Sequence, residues 1–124
     1  MSNELLYQVA AFTYAKMGGL NRDAMKVCAS ALLRNPDKIG DVEPNDRLEY
    51  TMTQKFPTKD EENKFKESLS LVSALMRGTE KILEVDEYYT KAQITKKSKE
   101  DKKYFNSVKP QKRVGRYHTY TKNP

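Results

Sequence analysis

Cysteine and histidine are almost missing from this chain: Cys28 and His118 are the only ones in 124 residues. A lone thiol excludes an intramolecular disulfide, and one thiol with one imidazole cannot close a zinc site. The two stand 90 positions apart, which is poor ground for a Cys/His nucleophile pair. Cys28 lies among apolar residues on an expected helix, the setting of an inert core thiol. None of the glycines spells a P-loop or a dinucleotide fingerprint. No apolar run approaches the ~20 residues that span a bilayer. The opening Met1-Ser2-Asn3-Glu4 has neither a basic start nor a long apolar stretch, unlike a signal peptide. These absences point to a non-enzymatic protein without metal, cofactor or membrane, cytoplasmic, or nuclear where the host has a nucleus.

What is present is unevenly placed. Residues 91–124 hold eleven Lys/Arg and two acids, a net of +9, leaving twelve bases and fifteen acids, a net of −3, for residues 1–90. The overall +6 therefore comes from the last quarter of the chain. Such asymmetry marks a polyanion-binding tail on an ordinary body. The expected division is a helical body, 1–90, and a basic, partly disordered arm, 91–124, too poor in aliphatics to offset its own ordering entropy.

Within the body, residues 3–17 carry Leu5, Leu6, Val9, Ala10, Phe12 and Met17 at helical spacing. Gly18-Gly19 stops that helix. Asn21 then caps a second one, with Asp23 in its first turn, which ends at Asn35-Pro36. Residues 36–57 read as loop, with a short helix preferred over a strand at 48–56, because a solitary strand leaves its ladder groups unpaired. Thr58-Lys59-Asp60-Glu61 is a capping box, and a long helix should follow. Two apolar seams run along it and beyond, including Leu69, Val72, Leu75, Met76, Ile82 and Leu83. They suit packing on the hairpin or contact with a partner helix. Gly78 either interrupts this helix or is tolerated within it. The acidic clusters at 60–62 and 84–87 read as capping charge and as a solvated face or a partner for the arm. The fold expected is all-α: an N-terminal helical hairpin packed on a long C-terminal helix, with an extended basic arm carrying a short helix near 98–105.

The arm holds the functional signal. Lys96, Lys97, Lys99, Lys102, Lys103, Lys109, Lys112, Arg113, Arg116 and Lys122 are interleaved with Tyr104, Phe105, Tyr117, His118 and Tyr120. Cations gain affinity by releasing phosphate counterions, and rings offer faces on which bases stack. The reading is a nucleic-acid-associated accessory protein, for DNA or RNA, contacting phosphates and bases through the arm. The alternative is a protein-interaction or structural subunit whose arm enters a larger assembly, with the seam at 69–83 as the contact to a protein partner or a second copy.

A second motif concerns the hairpin. Ala15-Lys16-Met17-Gly18-Gly19-Leu20-Asn21, with Met25 and Cys28 beyond, resembles the turn of a helix-turn-helix over about 20 residues. That resemblance implies that Asn21, Arg22 and Lys26 begin a groove-facing recognition helix. Gly18 stands where the pattern has an aliphatic, and the second helix is apolar as if buried. A plain packed hairpin is the preferred reading.

Overall fold

The computed structural model describes residues 3–122. Helix α1 (Asn3–Met17) and helix α2 (Arg22–Arg34) form the expected hairpin. The Asn21 side chain accepts the Ala24 amide at 2.9 Å, satisfying a donor that the first turn cannot pair. At the other end, the Asn35 side-chain amide donates to the Ala31 carbonyl at 3.0 Å. A 3₁₀ turn (Pro36–Asp41) leads to α3 (Asp46–Thr53), capped by Asn45. Helix α4 (Lys59–Arg77) starts at Thr58, whose hydroxyl accepts the Glu61 amide. The Glu61 carboxylate does not complete a capping box. It turns inward to Arg47 at 3.0 Å and to the Tyr14 hydroxyl at 2.5 Å.

The core is helical and aliphatic: Val9, Ala10, Val27, Leu71 and Val72 are fully buried, with Tyr14 among them. Here α1 lies against both α2 and α4. Ser68 of α4 donates to the Ala10 carbonyl at 2.8 Å, so this buried hydroxyl is paired.

The all-α expectation is overturned by the C-terminal third. Helix α4 ends at Gly78, whose φ of +81° takes the left-handed cap that a side chain disfavours. No long C-terminal helix follows. Strand β1 (Glu87–Tyr89), helix α5 (Lys91–Glu100), a second 3₁₀ turn (Tyr104–Ser107), and strands β2 (Val108–Val114) and β3 (Tyr117–Lys122) complete the chain. The strands form an antiparallel sheet in the order β1-β3-β2. The expected extended arm is thus folded, and its helix covers 91–100, not 98–105. Thr90 and Gln93 form a full capping box there.

Three devices make the sheet possible. The β2–β3 hairpin turns on Gly115-Arg116, with glycine first at φ +58°, as a two-residue turn of matching twist requires. Pro110 and the lysines of β2 occupy an edge strand, where a missing amide is harmless and charge discourages further pairing. Asp86 then anchors β3 to the helices. Its carboxylate accepts from Asn35 at 2.9 Å, Arg34 at 3.2 Å and the Lys122 amide at 3.0 Å, while its own amide donates to the Tyr120 carbonyl. The acid cluster at 84–87 is therefore largely structural: Asp86 is 9% exposed, and Glu87 pairs with Lys38.

The pleat sorts the sheet's residues. Tyr117 and Thr119 face the helices and are buried. The Tyr117 hydroxyl donates to Met17 Sδ at 3.6 Å, and its ring meets Tyr88 edge-on at 5.4 Å. Tyr89, His118, Tyr120 and Arg113 fall on the outer side, with Tyr89 opposite His118 and His118 opposite Arg113.

Candidate nucleic-acid interface

Ion pairing separates the two charge populations. Of the twelve bases in 1–90, Arg22, Lys26, Arg34, Lys38, Arg47, Lys59, Lys64 and Lys66 all pair with carboxylates. Among the described residues, the bases of 91–122 make one ion pair, Lys96 with Glu100 at 3.9 Å, within the same helix. Lys99, Lys102, Lys103, Lys109, Lys112, Arg113, Arg116 and Lys122 are exposed and have no carboxylate partner among these residues. The segment has folded without pairing its side-chain cations with the acids of the body. Its positive surface is free.

The rings are placed less uniformly. Tyr104, Phe105 and Tyr120 are half-buried in a cluster built around Tyr89. Ring centroids lie 5.0 Å apart for Tyr104 and Phe105, 5.2 Å for Phe105 and Tyr120, and 5.9 Å for Tyr89 and Tyr104. The Tyr89 and Tyr104 hydroxyls share a hydrogen bond at 2.6 Å. Lys97, half-buried, holds its ammonium 4.2 Å from the Tyr104 centroid, so part of its charge is already engaged by a ring face. Burial, then the bond to Tyr104, raises the Tyr89 phenol well above its usual range. Tyr117 belongs to the core and has no free face. The cluster offers ring edges and partial faces, with Lys97 set over two of its rings.

Beside it lies a cleft of about 410 Å³, lined by Thr90, Lys91, Ala92, Arg113, Arg116 and His118. Three formal cations and an imidazole converge there, without a carboxylate in the lining. The register explains the convergence: β1 runs straight into α5, so the residue pairing with His118 stands next to Thr90 and Lys91. Arg113 is oriented by its own Nε–H, which donates to the Gly115 carbonyl at 2.8 Å. Tyr89 and Lys91, absent from the sequence-derived set, both matter here. The aromatic pair Tyr88-Tyr89 directly before the basic segment was the available signal.

Other sequence-derived residues have structural places. Val72 and Leu75 are 0% and 2% exposed, and Leu69, Met76, Ile82 and Leu83 pack against the same core. The seam proposed as a partner surface is used inside the molecule. The helix-turn-helix resemblance also loses its surface, because eight of the thirteen residues of α2 are buried and Arg22 and Lys26 are both tied to Glu80.

Cys28 is 1% exposed, and burial pushes its thiol upward, away from nucleophilic character. Among the described residues no cluster of His, Cys, Asp and Glu has metal-holding geometry. None of the described helices is long and apolar enough to cross a membrane. A larger cavity of about 600 Å³ lies between the hairpin and β1. It mixes Lys16 and Lys38 with Asp41, Glu43, Asp86 and Glu87, and Lys38 and Glu87 of its lining pair with each other. Its mixed charge does not suit a polyanion, which leaves the outer sheet face as the candidate. Compared with protein-family models, with curated proteins and with solved structures, the chain matches none.

Proposed function

We propose that this protein binds nucleic acid through its C-terminal unit, as a non-enzymatic accessory factor. The supporting observation is the contrast in pairing among the described residues: eight of the twelve body cations pair with carboxylates, whereas nine exposed bases of 91–122 pair with none. Unpaired exposed cations are the groups that release counterions on meeting phosphates, because no internal pair has to break first. The partly exposed cluster of Tyr89, Tyr104, Phe105 and Tyr120 supplies sequence-tolerant contact with unstacked bases. Single strands are the favoured ligand, since duplex bases hide their faces. The three-stranded sheet and its flanking helix act as a rigid platform that holds the charges in register, so less ordering entropy opposes binding than for a disordered tail.

The test is affinity for a labelled single strand as a function of salt. With about six phosphates engaged, the logarithmic slope should be near −4, and binding should weaken steeply between low and physiological salt. Absence of binding at low salt, or affinity indifferent to salt, would remove this reading.

A further inference from the structure

We infer that the cleft between the start of α5 and the β2–β3 hairpin receives the terminal phosphate of a nucleic-acid strand, so that the protein recognises strand ends. This rests on the nucleic-acid reading above and assigns a chemistry to one part of that surface.

The cleft differs in kind from the rest of the basic surface. Lys99, Lys102, Lys103 and Lys109 are exposed point charges spread along α5, the loop after it and β2. Such charges suit successive internal phosphodiesters, each with a single negative charge. In the cleft, by contrast, Lys91, Arg113, Arg116 and His118 converge from a helix, a strand, a turn and a second strand on one concavity. Its volume of about 410 Å³ falls within the range of roughly 300–1,000 Å³ found for small-molecule pockets.

A terminal phosphate is a monoester. Near neutral pH it carries about −1.5 to −2 charges and three free oxygens, against one charge and two free oxygens for an internal diester. Several convergent cations match the former. Both arginines present planar donor forks suited to phosphate oxygens. The Nε–H of Arg113 is held by the Gly115 carbonyl, which steers the guanidinium while leaving its terminal amino groups without a protein acceptor among the described residues. None of the three cations forms an ion pair among those residues. Asp23 of α2 approaches the turn at Gly115 but pairs with neither arginine. The first turn of α5 forms one wall and adds the positive end of a helix dipole, a small term beside the formal charges.

The neighbourhood supplies the remainder of a terminal nucleotide site. Tyr120 lies two residues from His118 along β3 on the same outer side, roughly 6–7 Å away at the rise of a strand. Its ring contacts Phe105 at 5.2 Å. A terminal nucleotide with its phosphate in the cleft can therefore reach the aromatic cluster with its base.

The experiment compares internally labelled, otherwise identical short single strands bearing a 5′-phosphate, a 3′-phosphate or hydroxyls at both ends, at moderate salt. The wild-type protein should bind at least one phosphate-ended strand about tenfold more tightly than the hydroxyl-ended strand, a difference of about 1.4 kcal/mol. The Arg113→Gln/Arg116→Gln variant should bind every strand a few-fold more weakly and lose the ratio. A Lys102→Gln/Lys103→Gln variant should weaken all strands alike and keep it. Equal wild-type affinity for phosphate- and hydroxyl-ended strands overturns the end-recognition proposal while leaving general nucleic-acid binding intact. A ratio that survives the double arginine change removes its assignment to this cleft. Failure of all strands to bind at low salt overturns both readings together.

Discussion

The helical body and the C-terminal unit solve the same problem with different materials. The body buries aliphatic side chains between α1, α2 and α4 and closes its surface with ion pairs. The C-terminal unit has little aliphatic surface to bury. It relies on backbone pairing in the sheet, on Tyr88 and Tyr117 facing the helices, and on Tyr89, Tyr104 and Phe105 packing edge to face outside with Tyr120 tilted against them. Aromatic pairs of this kind add about 0.5–1.5 kcal/mol each beyond their burial. That is enough to help order a segment whose composition reads as disordered, while leaving most of its lysines without a carboxylate partner. The teaching is that a charge-rich segment can fold without neutralising itself when its few rings meet in one place.

The two regions differ most in their charges. Reversing Lys102, Lys103, Lys109 and Lys112 to glutamate should lower single-strand affinity by roughly a hundredfold or more at low salt. Reversing the paired body residues Lys59 and Lys66 should change it only slightly. Equal effects, measured by fluorescence anisotropy, would erase the distinction between the two populations.

The joint between the regions comes next. Asp86→Ala leaves Arg34, Asn35 and the Lys122 amide without their shared acceptor and should cost about 3 kcal/mol, read from urea unfolding. Hydrogen exchange should show β3 losing protection before α1 does.

Acid should act on the same joint and on a half-buried carboxylate of the body, Glu61. Hydrogen bonds from Arg47 and Tyr14 hold Glu61 at about 2. For Asp86, burial pulls upward, but the bonds from Asn35, Arg34 and the Lys122 amide outweigh it and bring the group to about 2. Both values lie below the ordinary 4.5 and 3.8, so between those limits the unfolded chain binds more protons than the folded one. The stabilisation is complete above about pH 4.5 and is lost as pH falls toward 2. Glu61→Gln should flatten part of this slope in a pH series of unfolding midpoints. An unchanged slope would show that its network does not couple to folding.

The smallest effect is expected at the end of α4. Gly78→Ala places a side chain at φ +81° and should cost about 1 kcal/mol. An increase in stability would indicate that the helix gains by continuing.

Legibility followed the range of the interactions. The α1–α2 hairpin was readable because its signals are neighbours in the chain: the apolar spacing of 3–17, Gly18-Gly19, and Asn21 bonding three residues ahead. Thr58 announced α4 in the same way. The sheet left only a faint trace. Val114-Gly115-Arg116-Tyr117 is a hairpin signal, and the alternation of Tyr117, His118, Thr119 and Tyr120 fits a strand, but its polar residues hid the buried side. The candidate site was half visible. Its lysines were legible from composition, whereas the assembly of Lys91, Arg113, Arg116 and His118 depended on strand register. Tyr117 and Tyr120 show the limit well: identical side chains three positions apart, one in the core and one outside.

By itself, the chain's order of residues determined where helices begin and stop, where the excess positive charge lies, and that one thiol and one imidazole stand far apart along the chain. Those properties are local or additive. Tertiary structure alone decided that the last third folds, which rings face inward, and which cations meet in a cleft. The physical reason is that strand pairing and Asp86's bonds join residues far apart in sequence, and a period of two assigns each side chain to a face only once the partner strand and its register exist.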